Sequence, residues 1–205
     1  MPLTKHDFIN YKYGNGEMLP YERYKLHTWV KQCGCKNVLE IGTGNGTSTY
    51  YIAQALFENN NNGIIVTCDP IAVILSNILN DYNNIKYNNI TSTELIKALI
   101  EAHQLPDFIF FDGPEIEELA LVDIQTLEPH IKPGCYFSMH DWEFNRRNYD
   151  NSISIKSKLI RPYIENSKRW EKQEVLSGMQ LNSDYFVYQN LNCDSVGLCL
   201  YKFLG

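Results

Sequence analysis

Residues 38–48, Val38-Leu39-Glu40-Ile41-Gly42-Thr43-Gly44-Asn45-Gly46-Thr47-Ser48, constrain the fold more than any other stretch of this chain. A short apolar run ending in three alternating glycines reads as a buried strand that turns sharply into a helix, bringing bare backbone close to a ligand. A dinucleotide site would want its third glycine one residue later, where Thr47 stands, so the spacing is Gly-x-Gly-x-Gly. Glu40, just ahead of the loop, would repel a pyrophosphate but tolerate a sulfonium and an ammonium group. The N-terminus of the following helix, with the hydroxyls of Thr47 and Ser48, suits a carboxylate. An amino-acid nucleoside combines all of these features.

From Asn37 onward strand-like and helix-like blocks alternate. Strands are expected over 38–41, 64–68, 85–87, 108–111 and 135–139. Helices are expected over 47–57, 71–79, 91–103 and 114–130, with Thr91 or Ser92 as a cap and Glu115, Glu117 and Glu118 in a first turn. Strands separated by helical crossovers make a parallel sheet covered on both faces. The tail differs. A polar and aromatic loop over 142–150 precedes a helix over 153–165, and two strand-like stretches, 185–191 and 196–203, follow around a turn at 192–195. These two should close the sheet as an antiparallel pair, with 170–176 as the alternative penultimate strand. A helix over 21–33 within an N-terminal cap segment, 1–36, precedes the first strand, and the whole of 1–205 reads as a single domain.

Composition narrows the function classes. The net charge is -6 and the sequence pI about 5.4, against the basic footprint that binding a phosphate backbone requires. No apolar run approaches a membrane span, and the polar first residues lack a signal-peptide core; a soluble, cytoplasmic protein with no nucleic-acid or membrane partner is expected. The six cysteines suit buried thiols, and Cys33-Gly34-Cys35 lacks a second pair at zinc spacing.

With the glycine loop preceded by Glu40, and Asp69 ending the second strand, the chain resembles the class I S-adenosylmethionine-dependent methyltransferases over most of its length. The resemblance implies a Rossmann-like, doubly wound α/β fold with a seven-stranded, mostly parallel sheet in the order 3-2-1-4-5-7-6. It also implies a cofactor held by Glu40, Gly42, Gly44, Gly46, Thr47, Ser48, Asp69, Ser92 and Asp112, with Asp69 on the two ribose hydroxyls. The segments Asp107–Gly113, Leu121-Val122-Asp123, Ile131-Lys132-Pro133-Gly134 and Met139-His140-Asp141 look like the branch acting on small molecules, which includes macrocin-type sugar O-methyltransferases and, more distantly, catechol O-methyltransferases. Relatives often bind magnesium with acidic residues at the ends of the fourth and fifth strands, where Asp112 and Asp141 stand here, with His140 in place of another acid. Two departures are visible: Glu115 replaces a common histidine, and Ile90-Thr91-Ser92 replaces the usual Gly-Asp-Ser beside the adenine.

In an open parallel sheet the site lies beyond the carboxyl ends of the strands, which brings Asp112, His140 and Asp141 to one rim as the catalytic candidates. Three arrangements stay open there. Asp112, His140 and Asp141 hold Mg²⁺, which acidifies the acceptor hydroxyl; His140 acts as general base without metal; or His140 is hydrogen-bonded structure. Asp112 reads alternatively as a strand-end carboxylate capping the next helix. His6, His27, His103 and His130 have no supporting constellation and are expected at the surface or partly buried. Trp142, Phe144, Arg146, Arg147 and Tyr149 are placed for a wall over the acceptor. The function expected is O-methylation of a small molecule. The alternatives are a methyltransferase-fold binding protein without catalysis and, disfavoured by Thr47 and the antiparallel ending, a nicotinamide-dependent dehydrogenase. Tyr11, Tyr13, Tyr21, Tyr24 and Trp29 offer a surface for a homodimer.

Overall fold

The computed structural model describes residues 2–13, 18–71, 76–114, 116–142, 156–176, 182–183, 186–187 and 197–205. In chain order its elements are α1 (Lys5–Ile9), α2 (Pro20–Cys33), β1 (Asn37–Ile41), α3 (Thr47–Asn59), β2 (Ile64–Cys68), α4 (Ser76–Asp81), β3 (Ile85–Asn88) and α5 (Ser92–Glu101). They continue with β4 (Phe108–Phe111), α6 (Glu117–Leu127), β5 (Tyr136–His140), α7 (Ser157–Glu165), β6 (Trp170–Leu176), β7 (Asn182–Ser183), β8 (Phe186–Val187) and β9 (Leu198–Phe203). The seven-stranded sheet runs β3-β2-β1-β4-β5-β9-β6. Counting only its own strands, that is the order 3-2-1-4-5-7-6, with β1 to β5 parallel and β9 antiparallel to both of its neighbours.

The central strand β4 is apolar throughout because both faces of the sheet are covered. In β4, Ile109 and Phe111 enter a core with α5, α6 and α7, while Phe108 and Phe110 enter a second core with α2 and α3. Successive side chains of a strand point to opposite faces, so a four-residue apolar run serves two layers. The register aligns Ile41 with Cys68 on one side and with Phe111 on the other, and Phe111 with Met139. The residues that follow, Gly42, Asp69, Asp112 and His140, therefore reach one rim.

The partner of the last strand differs from the first expectation. Trp170–Leu176, the alternative, pairs with β9, and within 185–191 the described Phe186–Val187 instead pairs with Asn182–Ser183 in a separate two-stranded ribbon. Two physical features hide β6 in the sequence. As the edge strand it carries Glu171, Lys172, Gln173 and Glu174, polar residues whose three charges also disfavour further pairing. A register shift between Lys172 and Glu174 then breaks its two-residue period. The turn at 192–195 lies outside the described residues, as do 72–75 of the helix expected over 71–79 and 153–155 of that over 153–165.

The N-terminal aromatics pack against one another and the core, with Tyr13, Tyr21 and Tyr24 only partly buried. Tyr11 and Trp29 are buried; Phe8, Tyr11, Tyr50, Tyr51 and Ile78 form a third cluster, with Tyr13, Tyr21 and Tyr24 packed against it. His27 is buried too, beside the ring of Phe8. Among the described residues, Cys33, Cys35, Cys68, Cys135 and Cys199 are free thiols, and no helix is long and apolar enough to cross a membrane.

The glycine loop is held from both sides. Gly42 and Thr43 donate their amides to the Cys68 carbonyl, and Asp112 donates its amide to Ile41. Gly42 has φ +91°, and a Cβ there would lie 1.9 Å from the Asp112 carbonyl oxygen, so no other residue fits. Glu40, fully buried, accepts hydroxyl hydrogen bonds from Ser48 (2.5 Å) and Thr49 (2.6 Å), tying the strand to the first turn of α3. Burial pushes its carboxyl up to about 7, against the opposing hydroxyls of Ser48, Thr49 and Thr67.

Two outcomes are expected. Gly42→Ala should lower the unfolding free energy by about 3 kcal/mol or more, as read by chemical denaturation; an unchanged midpoint would contradict the close approach. Glu40 has a folded-state pKa above its unfolded value, so its contribution to stability is full below about 4.5 and lost as pH rises through about 7. Between pH 4.5 and pH 8 the stability difference should therefore move by roughly 3 kcal/mol in favour of Glu40→Gln. A pH-independent difference would show that Glu40 ionises normally.

Candidate functional site

At the carboxyl ends of β1, β2 and β4 the structure encloses a cavity of about 450 Å³ lined by Ile41, Gly42, Asp69, Ser92, Asp112 and Leu119, among others. A larger cavity of about 750 Å³ lies at the opposite ends of the strands, around Asn37, Ile64, Lys86 and Pro133. Ligands of open α/β sheets bind beyond the carboxyl ends, where the strand order reverses between β1 and β4. Topology therefore selects the smaller cavity over the larger.

Four residues of the expected cofactor set, Gly42, Asp69, Ser92 and Asp112, line this cavity together. Asp69 accepts the Gly44 amide (3.1 Å) and the Ile71 amide (2.9 Å), which fixes its carboxylate beside the loop. Thr91 caps α5: it accepts the Glu94 amide and donates its hydroxyl to the Glu94 carboxylate. Thr93 donates to Asp123 (2.8 Å), a buried acid that holds the start of α5. Pro70, Ile71, Pro114 and Leu119 supply an apolar lip, of which Ile71 and Leu119 are exposed.

The other expected cofactor residues serve the loop itself. Glu40 has both oxygens engaged by Ser48 and Thr49. Thr47 donates its hydroxyl to Asn45 (2.6 Å), and Gly46 donates its amide to Thr43 (2.9 Å). The hydroxyls of Thr47 and Ser48 thus hold the turn into α3 instead of standing open to a carboxylate.

Next to the cavity lies a buried ionic cluster. His140, the last residue of β5, has Nε2 3.2 Å from Glu22 Oε2 and Nδ1 3.4 Å from Asp112 Oδ2, with Asp141 Oδ1 at 3.7 Å. Lys156, just before α7 and 0% exposed, places Nζ 2.9 Å from Asp112 Oδ1 and 2.5 Å from Asp141 Oδ2. Asp141 has φ +60°, in the left-handed region that aspartate tolerates better than most residues; that turn follows the end of β5 directly. Burial alone would lower the pKa of His140, but the carboxylates of Asp112 and Glu22 outweigh it and hold the ring well above its ordinary value. Burial would raise Asp112, and Lys156 and His140 together hold it well below the usual carboxylate range. The described members of the cluster are two cations and three carboxylates.

Asp112, His140 and Asp141 do come together: one ligand atom from each lies within 4.8 Å of the others. As they stand they do not suit a divalent ion. Both carboxylates already face the Lys156 ammonium, and both ring nitrogens of His140 face carboxylates, whereas a metal needs a bare nitrogen lone pair.

Glu22 and Lys156 were not singled out from the sequence. Glu22 sits in the first turn of α2, accepts the Leu19 amide (2.9 Å) and reads as an ordinary helix-capping acid. Lys156 has no spacing relation to Asp112 or Asp141; only a lysine turning up buried would mark it. Trp142, expected in a wall over the acceptor, is instead fully buried against Tyr201. Glu115, Phe144, Arg146, Arg147 and Tyr149 lie outside the described residues.

No curated protein sequence matches the chain, but a family model described as a methyltransferase domain matches residues 39–142, the span from β1 to the end of the rim. Among solved structures, the O-methyltransferase from Bacillus cereus in complex with SAH is 18% identical over 93% of this chain and 84% of its own, with a TM-score of 0.69. The O-methyltransferase from Streptomyces achromogenes involved in tomaymycin synthesis, in complex with SAM, is 14% identical over 98% of this chain and 86% of its own, with a TM-score of 0.70. At such identities the likeness establishes the fold, and the family match extends over half of the chain. The chain belongs to the methyltransferase domain family, with the class I fold of S-adenosylmethionine-dependent methyltransferases.

Proposed function

We propose that this methyltransferase moves the methyl group of S-adenosylmethionine to a hydroxyl of a small-molecule acceptor. The observation that carries the proposal is the cavity in which Gly42, Asp69, Ser92 and Asp112 meet. Its volume suits a nucleoside-sized ligand. The Asp69 carboxylate, with two acceptor oxygens, matches the vicinal hydroxyls of a ribose. The lip of Pro70, Ile71, Pro114 and Leu119 offers an apolar slot for the adenine, with Ser92 beside it. Relatives of the same fold were solved with SAM or SAH, which supports this ligand.

Asp112 closes the cavity and belongs at the same time to the ionic cluster, so it marks where cofactor and acceptor meet. Its side chain is the most open of the cluster's carboxylates, at 26% exposure. The Asp112 carboxylate itself, beside the cavity, favours a sulfonium ion. Transfer forms the O–CH₃ bond as the S–CH₃ bond breaks, the sulfonium leaves as a neutral thioether, and the hydroxyl proton passes to solvent. Asp112, held ionised by Lys156 and His140, serves as a hydrogen-bond acceptor that orients the hydroxyl. His140, charged between two carboxylates, lacks the lone pair of a general base and acts by holding Asp112. Near-attack alignment of oxygen, methyl and sulfur then supplies most of the rate.

Titration calorimetry tests the proposal. The full chain should bind both S-adenosylmethionine and S-adenosylhomocysteine, and Asp69→Ala should weaken each by roughly 10- to 100-fold, the loss of two charge-assisted hydrogen bonds. A folded chain that binds neither would overturn the reading.

A further inference from the structure

We propose that Lys156 is the resident cation of this site: its ammonium takes the place between Asp112 and Asp141 that a divalent ion would fill, and methyl transfer here needs no metal. The inference rests on the proposed methyltransferase site and adds to it a positioning residue and a limit on the acceptor.

The geometry is specific. Two carboxylates from the ends of adjacent parallel strands, β4 and β5, converge on one atom, Lys156 Nζ, at 2.9 and 2.5 Å. The lysine is 0% exposed, and a buried ammonium persists only where carboxylates surround it. It is also delivered rigidly. Lys156 precedes α7 directly, and α7 is anchored by Ile160 and Ile164, both fully buried in the core shared with α6. An ion such as Mg²⁺ needs the same carboxylate oxygens at about 2.0–2.1 Å, and it cannot share them with an ammonium already within hydrogen-bond distance. The third ligand atom of the trio is compromised as well, because His140 faces Asp112 through one nitrogen and Glu22 through the other.

The substitution changes what the site can hold. A divalent ion has free coordination positions and chelates a vicinal diol through two oxygens. An ammonium buried behind two carboxylates does neither; it fixes Asp112 and Asp141 and leaves the acceptor to meet the carboxylate edge. The acceptor class that fits is therefore a single hydroxyl recognised by hydrogen bonding, and a catechol bound through a chelated metal does not fit.

Manganese provides the probe, since free Mn²⁺ is read directly by electron paramagnetic resonance and does not depend on knowing the acceptor. The full chain and Lys156→Arg should leave the Mn²⁺ signal at its free value. Lys156→Met, which vacates the position while leaving both carboxylates, should bind one Mn²⁺ per chain, at least about tenfold more tightly than the parent. Adding Asp141→Asn to Lys156→Met should abolish that binding. Lys156→Gln, a neutral side chain of similar reach, serves where the methionine variant does not fold. Tight Mn²⁺ binding by the parent chain that disappears in Asp141→Asn would overturn the proposal, and so would a folded neutral variant that takes up no Mn²⁺. Calorimetry with S-adenosylhomocysteine in a chelator separates the two readings. Unchanged affinity is expected, whereas loss of binding on chelation would overturn the metal-free site. A chain that binds no cofactor under any condition but gives the expected Mn²⁺ results would sink the methyltransferase function alone.

Discussion

The rim of this protein depends on the missing side chain of Gly42. Its α-carbon faces the backbone carbonyl of Asp112 so closely that a methyl group would sit 1.9 Å from the oxygen. Because β1 and β4 meet there without a spacer, the amide of Asp112 reaches the Ile41 carbonyl and the loop can fold over toward Cys68. The positions of Asp69 and Asp112 on either side of the cavity follow from that contact. Glu40 adds a second constraint from below, a buried carboxyl gripping two hydroxyls of α3, so the turn is held by backbone on one side and by side chains on the other.

The ionic cluster is built differently. Its members come from α2, the ends of β4 and β5 and the residue before α7, and among the described residues its cation–carboxylate contacts join positions far apart in sequence, His140 with Asp141 excepted. Charges this deep are tolerated only because each faces a partner of opposite sign, and removing one leaves the others uncompensated. That coupling ties the cluster into one ionic wall beside the cavity at the carboxyl ends of the strands, with Asp112 shared between the two.

This contrast explains how far the sequence could be read. The glycine loop, the ends of the parallel strands and the acids at 69, 112 and 141 are legible because their meaning lies in short-range spacing: an apolar run, its terminal residue, and a turn. The helix over 21–33 was legible by the same token. Strand β6 was legible only as the alternative to 185–191, because a bulge and four consecutive polar residues blurred its period. Glu22 and Lys156 were not, because nothing local distinguishes a capping glutamate or a lysine among lysines from one that the fold buries against a rim. Trp142 misled for a related reason: an aromatic following a catalytic strand looks like a wall, and burial against Tyr201 is visible only in three dimensions.

The place of β9 in the sheet has a consequence for assembly. β5 carries His140, and its free edge is covered by β9, which follows every other strand of the sheet in the chain. β6 precedes β9 yet, among the described residues, has no neighbour in the sheet except β9. During synthesis, then, β5 presents an open edge and β6 lacks its partner until β9 leaves the ribosome, and the non-local pairing that closes the sheet is the slow kind. The half of the sheet with the glycine loop has its strand partners early; the half with the ionic cluster waits for β9. Nascent chains stalled before β9 should therefore look, to a chaperone, like a formed glycine-loop half trailing an uncapped sheet.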